Sequence, residues 1–268
     1  MQLRLTFDSV ADLYDKARPT YPPALFEDLR TLTGFDTQGS VVEIGCGTGQ
    51  ASIPLARMSG KLVCVELGPR LAKVATQNLA PFPHAQVVNA SFEDWNPQGE
   101  TFDLVFCATA WHWLDPTRRY EKAYEVLKPS GHLAVVTNSH AFPTDFDPLF
   151  TDLDEVYREI SDGKSEHGPR VTPDKLPDET SEILASGCFG EVQTRRYVWH
   201  VEYTGDEFVD LLSTYSDHIA LSDDKRNHLF KEVRRLTAER KIRKHYLTIL
   251  HVAKRDATSE FGPGKTPR

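Results

Sequence analysis

The sequence predicts an α/β protein built on a parallel sheet, and three observations carry that expectation. Short runs rich in Val, Leu, Ile and Phe recur at residues 41–45, 61–67, 86–90, 102–109 and 131–138. Stretches with helical spacing separate them, namely GQASIPLARMS, PRLAKVATQNLA and PTRRYEKAYEVLK. Strands this apolar are buried on both faces, and helices alternating with them cross over the sheet right-handed. Finally, the first apolar run passes into its helix through VVEIGCGTGQ, with Gly45, Gly47 and Gly49 inside five residues.

The elements follow in order. In FDSVADLYDKA, Phe7, Val10, Leu13 and Tyr14 share one helical face, with Asp8 or Ser9 placed to cap. Pro19, Pro22 and Pro23 break the chain, PPALFEDLRTL restarts a helix with proline in its first turn, and Gly34 ends it. The five strands and their helices come next. Residues 141–187 are rich in Asp, Glu, Pro and Ser and hold the turn-like SDGKSEHGPR. Residues 190–204 alternate as a strand through Val192, Tyr197, Trp199 and Val201, a helical stretch follows, and 245–255 form another strand. The expected domain plan is therefore 1–140 for the N-terminal helices and the core of the sheet and 141–187 for an insertion or lid. Residues 188–255 give the rest of the sheet with its helical cover, and 256–268 a frayed tail.

Bulk properties narrow the function. With 268 residues, 40% hydrophobic and 26% charged, the chain has the composition of an ordinary globular protein. Its formal charge of −8 and the lack of a basic stripe argue against a nucleic-acid partner. The one basic cluster, RRLTAERKIRKH at 234–245, is interrupted by Glu239 and reads as a solvated helix face. No apolar run approaches the ~20 residues of a membrane span, and no secretory signal is apparent. Cys46, Cys64, Cys107 and Cys188 lack CxxC spacing, so reduced thiols and a cytoplasmic location are expected.

The glycine segment has three possible readings. A Walker loop requires a lysine after the glycines, but Gln50-Ala51-Ser52 follows Gly49. The dinucleotide form GxGxxG starts with Gly45-Cys46-Gly47 and fails at Gln50, leaving GxGxG with Glu43 two residues ahead. Glu66 ends the second apolar run about 20 positions on, where an acidic side chain takes both hydroxyls of a ribose. That geometry serves NAD and S-adenosylmethionine alike.

Five segments together, VVEIGCGTGQ, VCVELGPRLAKVA, VVNASFEDW, FDLVFCATAWHWLDP and EVLKPSGHLAVV, resemble the class I S-adenosylmethionine-dependent methyltransferases in order and spacing. FDSVADLYDKARPTYP is similar to the small-molecule branch containing trans-aconitate and ubiquinone-biosynthesis methyltransferases. The resemblance spans 7–138 and beyond that is one of layout. It implies a Rossmann-like seven-stranded methyltransferase sheet, helices on both faces, a last strand that is antiparallel and supplied by 245–255, and a helical cover. It also implies S-adenosyl-L-methionine as cofactor, with Gly45, Cys46, Gly47, Thr48 and Gly49 bending under its methionine part. Glu66 would hold the ribose, Leu67 pack on the adenine, and Ser91 and Phe92 flank its edge. Ala108 would offer a carbonyl to the amino group. Tyr14 and Arg18 would close from the N-terminal helix, Arg18 toward the carboxylate, with Tyr21 a further candidate.

Methyl transfer from a sulfonium needs alignment and exclusion of water more than dedicated catalytic groups. AWHWLDP, just past the fourth strand, would border the site. His112 can accept a proton at neutral pH, or it can simply pack the loop. Trp111 and Trp113 are candidate walls of the acceptor pocket. His140 is a second histidine with either a catalytic or a plain surface reading, whereas Trp95 and Trp199 read as packing. The Asp/Asn-Pro-Pro-aromatic run of DNA amino-methylation is replaced by Cys107-Ala108-Thr109-Ala110, and Cys107 follows Phe106 rather than the proline of cytosine methylation. Asp103 and Asp115 make no metal cluster, so none is expected. The expected activity is methyl transfer to a small organic acceptor. A non-catalytic cofactor-binding regulator and a protein methyltransferase remain the alternatives, and oligomeric state stays open.

Overall fold

The computed structural model describes residues 6–161 and 170–257. Most of the turn-like SDGKSEHGPR and the expected frayed tail from 258 onward lie outside the described residues. One seven-stranded sheet organises the chain, with strands β1 (Ser40–Ile44), β2 (Lys61–Glu66), β3 (Ala85–Asn89), β4 (Phe102–Ala108), β5 (Leu127–His140), β6 (Phe189–Tyr203) and β7 (Ile242–Arg255). Their order is β3-β2-β1-β4-β5-β7-β6. β1 pairs in parallel with β2 and β4, β2 with β3, and β4 with β5. The last strand runs antiparallel. The strand order reverses between β1 and β4, which is where open parallel sheets bind ligands at their carboxyl edge.

The chain divides into two compact units. The larger comprises residues 20–138, 177–197 and 248–268. Here the period of two along each strand feeds two cores. Val42, Ile44, Val63, Val105 and Val135 enter one with Trp95, Tyr120 and Tyr124, while Val41, Leu62, Leu104, Phe106 and Val136 enter the other with Leu25, Leu29 and Leu55. The expected buried strands β1, β2, β4 and β5 follow from this two-sided packing, but β3, expected to be buried, lies at the sheet edge and is half-buried to exposed. Crossover helices α3 (Ser52–Met58) and α4 (Pro69–Asn78) link β1 to β2 and β2 to β3. Helix α2 (Pro23–Thr33) carries its proline at the first turn and ends at Gly34 with φ +64°, as the sequence predicted. Helix α5 (Arg119–Val126) stops earlier than expected. Lys128 precedes Pro129 and is thereby disfavoured in helical geometry, so Leu127 and Lys128 begin β5 instead.

The smaller unit comprises residues 1–19, 139–176 and 198–247. Its helices include α1 (Ala11–Ala17), α6 (Leu149–Ile160), α8 (Gly205–Leu212) and α10 (Asp223–Leu236). Leu149, Leu153, Phe208, Leu212, Leu229 and Val233 fill its core. Thr204 and Glu207 form a capping box at the start of α8. The expected cap of α1 is not made. The residue at that position is Val10, and the Ser9 hydroxyl donates back to the Thr6 carbonyl at 2.7 Å within a preceding 3-10 turn. The basic cluster also departs from the expected single helix face, because α10 ends at Leu236 and β7 begins at Ile242. Lys244 and His245 are thus buried strand residues.

Among the described residues, no helix is long and apolar enough to cross a membrane.

Candidate active site

The site begins where β1 runs out. Gly45, Gly47 and Gly49 have φ of +65°, +59° and +105°, a region L-residues with a Cβ rarely enter. A Cβ on Gly45 would lie 2.5 Å from the Ala110 Cβ, so this position excludes any side chain. The Gly45 amide donates to the Val65 carbonyl at 2.8 Å, tying the loop to the end of β2.

Glu66 faces that loop from β2 and is only 6% exposed. Its Oε2 accepts from the Gly47 amide at 2.9 Å and its Oε1 from the Gly68 amide at 2.8 Å. Two backbone donors therefore fix the plane of the carboxylate. Asn89 Nδ2 donates to the carbonyls of Glu66 and Leu67 at 2.8 and 2.9 Å, holding the half-buried Leu67 at the strand tip. Gln50, which interrupts the dinucleotide pattern, donates to the Thr48 hydroxyl at 2.7 Å, and Asn78 Nδ2 donates to the Thr48 carbonyl at 2.9 Å. The loop is thus held in place by its own side chains and those of Glu66, Asn78 and Asn89.

A buried carboxyl supports it from below. Glu43, 1% exposed, accepts from the Ser52 hydroxyl and, at 3.5 Å, from the Cys64 thiol. Burial pushes its pKa up to about 8, against the hydrogen bonds of Ser52 and Cys64 and with a smaller push from the Glu66 charge. The Cys46 thiol is raised well above its ordinary value by its hydrogen bond with Cys64 and by burial. All four cysteines are free and buried. The sequence carried one signal for Glu43: a glutamate at the centre of an apolar strand run.

At the tip of β4, Thr109 holds φ +55°, a conformation costly for a β-branched residue. Its amide donates to the Val136 carbonyl at 2.8 Å, and its hydroxyl donates to the Ala108 carbonyl at 2.8 Å. The Tyr21 hydroxyl lies 3.1 Å from the same Oγ1, which brings Tyr21 to the strand tip beside Ala108. No local pattern in the sequence announces Thr109.

Past β3, the Ser91 hydroxyl donates to the Asp94 carboxylate at 2.7 Å and accepts the Asp94 amide at 3.0 Å. Phe92 turns inward and stacks with Trp95, its centroid 6.3 Å away. Its ring is a core element, which leaves its backbone as the part able to meet a ligand. AWHWLDP forms a 3-10 turn over Trp111–Trp113. Trp111, expected as a pocket wall, is instead 2% exposed and packs edge-on to Tyr120 at 5.1 Å, its carbonyl accepting from Arg119 at 2.8 Å. His112 is an exposed residue whose imidazole lies 4.7 Å from the Trp113 ring. Partial burial of that ring and the Arg119 charge hold its pKa below the ordinary histidine value, so it is neutral at pH 7.

Tyr14, Arg18 and His140 belong to the smaller unit. Arg18 donates through Nε to the Thr214 hydroxyl at 2.8 Å and through Nη2 to the Thr214 carbonyl at 2.9 Å. Its guanidinium lies 4.9 Å from the Tyr14 ring centroid and 4.3 Å from that of Tyr215. His140 packs 4.1 Å from Phe142 and 4.5 Å from Phe150. Among the described residues, no group of three or more His, Cys, Asp or Glu is placed to hold a metal ion.

Residues 41–131, which carry the glycine loop, Glu66 and the tip of β4, match the family model of a methyltransferase domain. With the relatives below, this domain supports a class I S-adenosylmethionine-dependent methyltransferase. An uncharacterized methyltransferase of Mycobacterium tuberculosis is 26% identical over 236 residues, covering 88% of this chain and 87% of the relative. A malonyl-[acyl-carrier protein] O-methyltransferase of a Marinomonas species is 27% identical over 156 residues, 57% of each chain. Among solved structures, a putative type II methyltransferase from Anaeromyxobacter dehalogenans aligns with a TM-score of 0.60 at 24% identity, covering 88% of this chain and 97% of that one. The methyltransferase therefore takes S-adenosylmethionine as its cofactor, and the seat fits it on physical grounds. The cofactor brings no phosphate and the loop has no lysine, and the buried carboxylate of Glu66 stands pre-oriented beside a backbone that admits close approach.

Proposed function

We propose that the enzyme transfers a methyl group by in-line displacement to a small organic acceptor. The observation that carries the cofactor assignment is Glu66, whose carboxylate the Gly47 and Gly68 amides hold against the glycine loop at the end of β2, the position from which an acidic side chain takes ribose hydroxyls. Gly45, Cys46, Gly47, Thr48 and Gly49 supply the backbone floor, Leu67 an apolar contact for the base, and Ser91, the Phe92 backbone, Ala108 and Tyr21 its rim. When bound, the cofactor supplies an electrophilic methyl on a sulfonium. The chain's part is to position the two reactants and to exclude water, worth about 7–11 kcal/mol of barrier in well-aligned systems. His112, neutral at pH 7, accepts the proton that an oxygen or nitrogen acceptor loses. Trp113 offers the apolar surface beside it.

A charge of −8 without a basic stripe supports a small acceptor over nucleic acid. Incubation with methyl-labelled cofactor and a metabolite panel tests the reading, with a malonyl-bearing carrier protein included because one relative is named for that acceptor. Label in a small molecule is the expected result. Label only in polypeptide side chains, with every small molecule and the malonyl group unlabelled, would contradict it.

A further inference from the structure

The smaller unit buries a lysine that the methyl-transfer chemistry does not use. Lys244 sits in β7 with 4% of its surface exposed. Its ammonium lies 5.3 Å from the Tyr246 ring centroid and 5.7 Å from that of Phe150. Trp199 stacks on Tyr246 at 4.9 Å and 25°, and the Tyr246 hydroxyl pairs with that of Tyr203 at 2.9 Å. The aromatic faces supply cation–π attraction but accept no ordinary N–H hydrogen bond. Among the described residues, Lys244 has neither a hydrogen bond from its ammonium nor an ion pair. The charge acting on it is that of Arg18, which is also positive.

Burial of a charged ammonium without an acceptor is among the costlier arrangements in a folded protein, and proteins normally pair such groups. A second cation nearby raises that cost further. Burial and the Arg18 charge accordingly lower the Lys244 pKa to about 7. What the cluster lacks is an anion. A carboxylate supplies one negative charge and two acceptor oxygens, and a hydrocarbon skeleton attached to it would lie against Phe150 and Tyr246.

We propose that Lys244 is the receptor of a carboxylate-binding site in this unit, taking a small apolar carboxylic acid whose skeleton packs on Phe150 and Tyr246. This goes beyond the acceptor reading above and does not depend on it, since a bound acid can be the methyl acceptor or an unreacting ligand.

Three probes test it on the full-length enzyme by calorimetric titration: 3-phenylpropanoate, its primary amide and phenethyl phosphate. The carboxylate should bind at least 10-fold more tightly than the isosteric amide, which has the same skeleton and no charge. It should also bind more tightly than the bulkier dianionic phosphate. Lys244→Met should weaken carboxylate binding 10-fold or more while leaving affinity for S-adenosylhomocysteine unchanged. Equal binding of acid and amide, tighter binding of the phosphate, or full carboxylate affinity in Lys244→Met would each overturn the proposal. The acid–amide comparison needs no variant, so a poorly folded Lys244→Met leaves the test intact. Unchanged acid affinity with lost turnover in the variant would reassign Lys244 to proton transfer. Labelling of the acid by the methyl-labelled cofactor separates acceptor from unreacting ligand, and a failed acceptor panel alongside tight acid binding would count against the small-acceptor reading alone.

Discussion

Replacing Glu43 by Gln removes a titratable group from beneath the glycine loop while keeping its shape. In the folded protein its carboxyl holds a proton up to about pH 8, against 4.5 for an ordinary glutamate. A raised pKa means that its stabilising contribution is fully present below pH 4.5 and is lost as pH rises through 8. Between those values the folded state binds one more proton than the unfolded state, so stability falls by about 1.4 kcal/mol per pH unit from this group. Across the whole window the loss is on the order of 5 kcal/mol, a large part of a typical domain's stability. Urea unfolding of both proteins at pH 5 and pH 8.5 reads the effect, since every other group titrates alike in both. The expected result is a wild type that loses several kcal/mol more than Glu43→Gln on going to pH 8.5. Parallel losses in the two proteins would refute a protonated Glu43.

Gly45→Ala forces a left-handed backbone on a residue with a Cβ and drives it into Ala110. A loss of about 2–4 kcal/mol is expected on urea unfolding, together with weakened cofactor binding, and a change within error would remove the steric reading of the loop. His112→Ala should lower turnover about 10²-fold with cofactor affinity unchanged; full activity would dismiss His112 as the proton acceptor. Cys46, Cys64, Cys107 and Cys188 are all buried, and burial keeps their thiols protonated. A thiol reagent should therefore label none of them rapidly in the native protein and all four in urea, and fast native labelling would show the loop or a strand opening.

How far the sequence could be read depended on where each residue's neighbours come from. Strands β1, β2 and β4 were legible because burial on both faces makes them predominantly apolar, whereas the edge strand β3 is half-buried to exposed and was legible from its place between two helical patterns. The place of Glu66 at the end of β2 was legible because an acidic residue closing an apolar run marks a strand end. Lys244 was not. Within RRLTAERKIRKH it looks like one more solvated charge, and its burial comes from Phe150, far away in sequence, and from the strand pairing that begins at Ile242. Trp111 reads as a pocket wall beside His112, yet Tyr120 and Arg119 of the next helix draw it into the core. The left-handed turn at Thr109 is imposed by the Val136 carbonyl on the adjacent strand, and no threonine announces such a conformation by itself.

Calorimetric titration of wild type and Glu66→Ala with S-adenosylhomocysteine tests the central claim most directly. The substitution removes the carboxylate that organises the loop and that is proposed to receive the ribose hydroxyls. Hydrogen bonds to a charged group are worth about 1.5–3 kcal/mol each, so affinity should fall roughly 10–100-fold in a variant that remains folded. Wild-type affinity in Glu66→Ala would contradict the assignment of this loop and this carboxylate as the cofactor seat.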